Sequence, residues 1–221
     1  MVIHPAPSSP LGGGWGTIVA LTSNDGSTAH PMCARLMEAN ALMRDVADAV
    51  HALCLLHGRH PGLIDHALAR NALPACSGWL EEAVAAFASE RAVLAKLASA
   101  VGPLPSTPGQ AESEATILAQ RHALETLAQS DRSGCAMGAA IAFVVDWRAM
   151  RRVLERAAER IGVTISPLHL PCDSDSATVI ATIAERPGPE RAMMFGAQQV
   201  LAQHRGLWAL LEARAVARNN A

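Results

Sequence analysis

Aromatic residues are scarce in this chain of 221 residues, since they make up 3% of the sequence and tyrosine does not occur. Lysine is also nearly absent, because Lys96 is the single lysine; we interpret this bias as that of a GC-rich bacterial genome. Few bulky side chains together with abundant alanine favour closely spaced helices. The formal net charge of −2 at pH 7 argues against a general nucleic-acid binder, which usually has a clear basic excess.

The sequence also lacks the usual marks of export, membrane insertion and disulfide bonding. No run reaches the roughly 20 apolar residues of a membrane span, and no basic residue precedes Arg35 near the N-terminus. The cysteines form no C-x-x-C pair; they are Cys33, Cys54, Cys76, Cys135 and Cys172. We therefore expect a soluble cytoplasmic protein with reduced and mostly buried thiols.

The most informative stretch that is present covers residues 133–147, which are apolar in nearly every direction. A helix without a polar face must be buried all round. Gly134, Gly138 and Ala142 recur at every fourth position and so form a stripe without large side chains, along which another helix can approach closely. The stretch therefore predicts a central helix, which continues with charged residues to about Ile161.

The whole pattern predicts an all-α, up-and-down bundle with about five long helices and one or two short ones. The expected helices cover residues 31–57, 63–71, 77–101, 111–129, 134–161, 174–185 and 190–217. Residues 1–30, rich in Gly, Pro and Ser, are expected to be a flexible arm, and residues 31–221 a single domain. The β-branched stretch 163–166 is predicted to pair with residues 18–21 as two short strands.

Polar residues on the apolar stripes of these helices are candidates for buried functional groups, because an unsatisfied buried polar group costs roughly 1–3 kcal/mol. Asn40 and His57 fall on the stripe of the first helix, Asp146 lies in the central helix, and His204 lies on the stripe of the last helix. Each could instead be an ordinary core residue with a local hydrogen-bond partner.

Two carboxylate–imidazole pairs with a spacing of three residues suggest a metal layer. Asp48 with His51, and His122 with Glu125, each place two ligands on one helix face, and Glu82 falls at a similar height in an antiparallel bundle. Ferritin-like bundles build metal sites from similar pairs, but here the second pair is reversed and the Glu-x-x-His motifs are missing. Exposed charged residues are the simpler interpretation.

A second charged pattern occupies the outer half of the central helix, where arginines recur at every fourth position. The stripe consists of Arg148, Arg152, Arg156 and Arg160. It could dock an acidic partner or a phosphate-bearing ligand, or its members could pair with neighbouring glutamates.

No sequence motif specifies a reaction, since there is no nucleophile elbow, P-loop or dinucleotide fingerprint. We therefore predict a non-enzymatic bundle that self-associates or docks a protein partner, with no nucleic-acid or membrane partner and no cofactor-binding loop. The alternatives are a metal-binding bundle, or a binder of haem or of a small apolar ligand, with a flat cofactor lying against Gly134 and Gly138.

Overall fold

A computed structural model describes residues 13–71 and 73–220, and within this part of the chain it contains nine α-helices and no strand. The helices are α1 Gly14–Asp25, α2 Pro31–Met37, α3 Met43–His57, α4 Leu63–Ala69, α5 Ser77–Ala100, α6 Gln110–Ala128, α7 Cys135–Ile161, α8 Asp173–Ala184 and α9 Pro187–Asn219. The long helices are α3, α5, α6, α7 and α9, as the periodicity predicted. No described helix is both long and apolar enough to cross a membrane.

Helix α7 is the centre of the bundle, because it packs against α1 to α6 and against α9. Its first half is buried on nearly all sides. Helix α9 approaches it most closely: a Cβ atom at Gly138 would overlap the carbonyl oxygen of Met193, and one at Gly196 would overlap that of Cys135. The glycine stripe therefore receives the backbone of α9, and this leaves no room there for a flat cofactor.

The expected first helix, 31–57, is in fact two helices. Helix α2 ends at Met37 and α3 begins at Met43. Asn40 lies in the turn between them and is exposed, so its predicted burial was wrong. Asparagine favours turns because its side chain competes for backbone hydrogen bonds, and the break turns Asn40 away from the apolar stripe.

The N-terminal segment differs from the predicted flexible arm, of which residues 1–12 lie outside the described part. Helix α1 buries Trp15, Ile18 and Thr22, and this spacing of three and four places them on one face. That face packs against α7, α8 and α9. The predicted strand pair was therefore wrong: residues 18–21 are helical, and residues 163–171 have no regular secondary structure.

Candidate functional site

The site is centred on Asp146, which is fully buried in the first half of α7. Its carboxylate accepts hydrogen bonds from the Ser27 backbone N–H, from the Ser27 hydroxyl and from Nδ1 of His204, each at 2.7 Å. Burying a carboxylate without such hydrogen-bond donors is energetically costly. Asp146 thus ties α7 to α9 and to the short 3₁₀ turn Ser27–Ala29 between α1 and α2.

Two imidazoles, those of His204 and His57, meet beside this carboxylate. The His204 ring lies edge-on to the His57 ring, with their centroids 5.2 Å apart. Since His204 bonds to Asp146 through Nδ1, its Nε2 is left for another partner. In the described part of the chain, Nε2 of His204 and Nε2 of His57 are both buried and make no hydrogen bond.

His57 is the member of this group that reaches the surface. Its ring packs on Phe143, at a centroid distance of 4.7 Å, and edge-on to Trp147 at 5.5 Å. The residue is partly exposed although its Nε2 is buried. Burial, and secondarily the neighbouring His204, lower the pKa of His57 well below its usual 6.5. At neutral pH the ring is therefore uncharged, with one nitrogen able to donate and the other able to accept a hydrogen bond.

A narrow cleft opens in front of His57, and we call it the His57 cleft. It lies between α3, the loop 58–62, α4, α5 and α6, and its lining includes Arg59, Arg91, Arg121 and Phe87. The cavity volume is about 20 Å³, enough for about one water molecule. The cleft therefore narrows, next to the His57 imidazole, to a space of about the size of one water molecule.

The loop beside the cleft is held in place by Asp65, at the start of α4. One carboxylate oxygen accepts hydrogen bonds from the Gly62 backbone N–H at 2.7 Å and from Arg91 at 2.9 Å. Arg121 lies 3.6 Å from Glu125, whereas Arg59 is exposed. Because two of the arginines face a carboxylate and Arg59 does not, the cleft has an excess of positive charge.

A cysteine near Asp146 does not add a nucleophile to the site. Burial, and secondarily the charge of Asp146, raise the pKa of the Cys33 thiol to about 11. The thiolate is the reactive form of cysteine. Cys33 is consequently an unreactive core residue at neutral pH.

The predicted metal layer does not form, and no described group of three or more His, Cys, Asp or Glu residues could hold a metal ion. Asp48 is buried against two arginines of α9, and Nε2 of His51 lies 2.8 Å from the Gly102 carbonyl oxygen. Glu82 and His122 are exposed, and Glu125 faces Arg121. The residues of this alternative therefore do not form one site: two arginines pair with Asp48, His51 contacts a backbone carbonyl, and Glu82 and His122 are exposed, as the simpler interpretation expected.

Within the arginine stripe, most members interact with this same chain. Arg148 pairs with Asp173 at 2.6 Å and Arg156 with Glu159 at 3.1 Å, while Arg160 donates to the Ala41 carbonyl. Arg152 is exposed and makes no hydrogen bond to any described residue. The stripe as a whole is therefore not a free cationic surface.

Sequence reasoning missed the arginines that neutralise Asp48. Arg214 donates two hydrogen bonds through Nε and one through Nη2 to this carboxylate, at 2.8–3.2 Å. Arg218 bonds to Asp48 at 2.6 Å and to Asp45 at 2.8 Å. The sequence did contain a signal for these arginines: Arg214 and Arg218 are four residues apart on α9, next to the apolar stripe that includes Leu211.

A model described as a family of unknown function (DUF6975) matches residues 22–219, and the chain therefore belongs to that family. Neither the curated proteins nor the solved structures contain a match to the chain.

Proposed function

We propose that the protein binds a small anionic ligand in the His57 cleft. The observation that carries this proposal is the buried Nε2 of His57, which lacks a partner beside a cavity lined by Arg59, Arg91 and Arg121. A buried polar atom without a hydrogen bond costs roughly 1–3 kcal/mol. A bound ligand that supplies the missing bond would offset this cost.

The charges of the cleft favour an anion as that ligand. Arginine presents a planar fork of donors that matches carboxylate and phosphate oxygens. Asp65 fixes the position of Arg91 through a 2.9 Å ion pair, so this guanidinium needs little ordering on binding. Arg59 supplies the uncompensated positive charge.

The size of the cavity limits how far the ligand enters. A volume of about 20 Å³ admits a group about the size of one water molecule, such as one oxygen of a carboxylate or phosphate. That oxygen would accept a hydrogen bond from the neutral His57 ring, while the rest of the ligand lies at the mouth near Arg59. In this arrangement, the hydrogen bond between His204 and Asp146 holds the His204 ring against the His57 ring.

Self-association or docking of a protein partner stays a prediction. Within the arginine stripe, Arg152 is the exposed residue that would be available for such a contact. It also provides a matched control for the cleft, because Arg152 and Arg59 are both exposed arginines without a carboxylate partner among the described residues.

Calorimetric titration with inorganic phosphate and, separately, with acetate tests the proposal. We expect binding by the wild type and by the Arg152→Gln variant with the same Kd. Arg59→Gln should weaken binding about tenfold, since a hydrogen bond to a charged group contributes about 1.5–3 kcal/mol. His57→Gln should also weaken it. The proposal is wrong if neither anion binds at millimolar concentration, or if Arg152→Gln weakens binding as much as Arg59→Gln does.

A further inference from the structure

A second cavity, separate from the His57 cleft, lies between α3, α6 and α9. The linker 101–109 between α5 and α6 borders it through Leu104, and its volume is about 190 Å³. A cavity volume of about 10–15 Å³ suffices for one water molecule. The second cavity therefore has room for a molecule of several heavy atoms. We call it the Arg214 cavity.

The linker is attached to the helices on both sides of this cavity. Nε2 of His51 on α3 lies 2.8 Å from the Gly102 carbonyl oxygen. The Thr107 hydroxyl accepts a hydrogen bond from Arg218 at 2.9 Å. Leu104, between these two anchors, is 40% exposed although it is a large apolar residue. The linker therefore holds an apolar side chain at the mouth instead of in the core.

The polar part of the cavity lining includes Arg214, which is 5% exposed. Its Nε bonds to Asp48, and its Nη2 bonds to Asp48 and, at 2.8 Å, to the side-chain oxygen of Gln110. The remaining nitrogen, Nη1, is buried and makes no hydrogen bond in the described part of the chain. A fixed guanidinium thus lines the cavity while one of its donor nitrogens has no acceptor.

The surrounding charges define what kind of acceptor fits. The carboxylates of Asp45 and Asp48 balance the charges of Arg214 and Arg218. Glu114 adds a further negative charge to the cavity lining, and no other arginine or lysine lines it. The sum of charges is therefore unfavourable for an anion, whereas a neutral carbonyl oxygen can accept from a guanidinium without charge repulsion.

Apolar side chains, including Leu55, Leu104 and Ile117, form a second part of the wall beside polar residues such as His51 and Ser113. A cavity that combines apolar side chains with a few well-placed polar groups is typical of sites for small molecules. We propose that the Arg214 cavity binds a small, uncharged amphipathic molecule whose apolar part contacts these side chains and whose carbonyl oxygen accepts a hydrogen bond from Arg214.

Hexanamide is a suitable probe, because it combines a short apolar chain with a neutral carbonyl oxygen. Hexanoate and hexylamine have the same chain but carry opposite charges. Binding is measured by NMR titration of the full chain, with the side-chain Nε–H resonances of the arginines observed. We expect hexanamide to bind more tightly than either charged analogue and to shift the Arg214 resonance. Tighter binding of hexanoate, or a titration without any change at Arg214, would overturn the proposal.

Two tryptophan variants locate the binding site without disturbing the buried ion pairs. Leu104→Trp fills the mouth of the cavity and should weaken hexanamide binding at least fivefold. Leu118→Trp is the matched control, because Leu118 is similarly exposed at 37% but does not line the cavity; it should leave the Kd unchanged. Equal affinities of the two variants would show that hexanamide binds elsewhere.

The Arg59→Gln variant separates this site from the His57 cleft. It should bind hexanamide as the wild type does, since Arg59 does not line the Arg214 cavity. A loss of hexanamide binding in Arg59→Gln would assign the molecule to the His57 cleft and contradict a second site.

Discussion

Buried ionisable side chains in this protein form hydrogen bonds with partners that are distant in the sequence. Asp146 accepts from Ser27 and His204, which are separated from it by 119 and 58 positions. Glu90 of α5 accepts from the buried Trp147 and Arg151 of α7, at 2.8 and 3.2 Å. Each such group is costly to bury alone, so these contacts constrain which helices can pack together.

His57 makes the stability of the protein depend on pH in a defined direction. Its pKa in the folded chain is well below 6.5, whereas in the unfolded chain it is the ordinary value of about 6.5. Below that pH the unfolded chain therefore binds a proton that the folded chain does not bind. The free energy of unfolding should fall as the pH is lowered from 7 to 5, by up to about 1.4 kcal/mol per pH unit from this residue.

Urea unfolding of the wild type and of a His57→Phe variant at several pH values measures this contribution. The phenylalanine fits among Phe87, Phe143 and Trp147 and cannot bind a proton. The free energy of unfolding of this variant should therefore depend less on pH than that of the wild type. The exposed His122 offers a control, and His122→Gln should retain the wild-type dependence. If His57→Phe and the wild type lose stability in parallel, the imidazole does not titrate as described.

The sequence could locate these candidate residues better than their partners. Asp146 and His204 stand out as polar positions on apolar stripes, and both are buried. Their contact depends on how α7 and α9 are placed side by side, which no local pattern encodes. Asn40 shows the opposite failure, because extending one helical period through a turn placed an exposed side chain in the core.

At the level of helices, the closest packing in the bundle is that of α7 against α9. Gly138 and Gly196 allow it, since the backbone of the other helix occupies the space of a Cβ atom. Backbone atoms cannot move aside as the end of a flexible side chain can. The short distance between the two helix axes therefore requires glycine at positions 138 and 196.

Substituting Gly138 by alanine should consequently destabilise the protein by about 2–3 kcal/mol, in the upper part of the range for overpacked cores. Gly78 in α5 provides the control, because a Cβ atom there meets nothing within 4 Å. Gly78→Ala should stabilise by up to about 1 kcal/mol, as alanine favours helices. Thermal unfolding followed by circular dichroism compares the two. Equal melting temperatures for the wild type and Gly138→Ala would contradict the close contact.

The long helices were predictable because a periodic apolar pattern over 15 or more residues is a strong local signal. The α6 and α7 helices were expected within a residue or two of their observed ends. Helix α1 was not predicted, since tertiary packing supplies most of the stability of a short helix. Helix α1 depends on its burial against α7, α8 and α9, which the residues 14–25 do not reveal.

At the scale of the whole molecule, a buried network of charged side chains joins α3 to α9. Asp45 and Asp48 of α3 bond to Arg214 and Arg218 near the C-terminal end of α9. All of these side chains are less than 10% exposed. The last turns of the chain thereby hold the third helix in place.

Removing one acid of this network should destabilise the protein strongly, because the arginines would remain buried without full compensation. We expect Asp48→Ala to lower the free energy of unfolding by about 3–5 kcal/mol. Arg44 and Asn219 also connect α3 to α9, but at the exposed surface. Arg44→Ala should therefore change stability by less than about 0.5 kcal/mol, although it breaks a contact between the same two helices.

A double variant separates the loss of a contact from the presence of an uncompensated charge. In Asp48→Leu with Arg214→Leu, both charges are removed together, while Arg218 keeps Asp45 at 2.8 Å. Replacing a buried ion pair by apolar residues is often neutral or stabilising, so this variant should be more stable than Asp48→Ala. Urea unfolding of the three variants gives the comparison. If the double variant is less stable than Asp48→Ala, the hydrogen bonds themselves, and not charge compensation, stabilise the packing of α9 against α3.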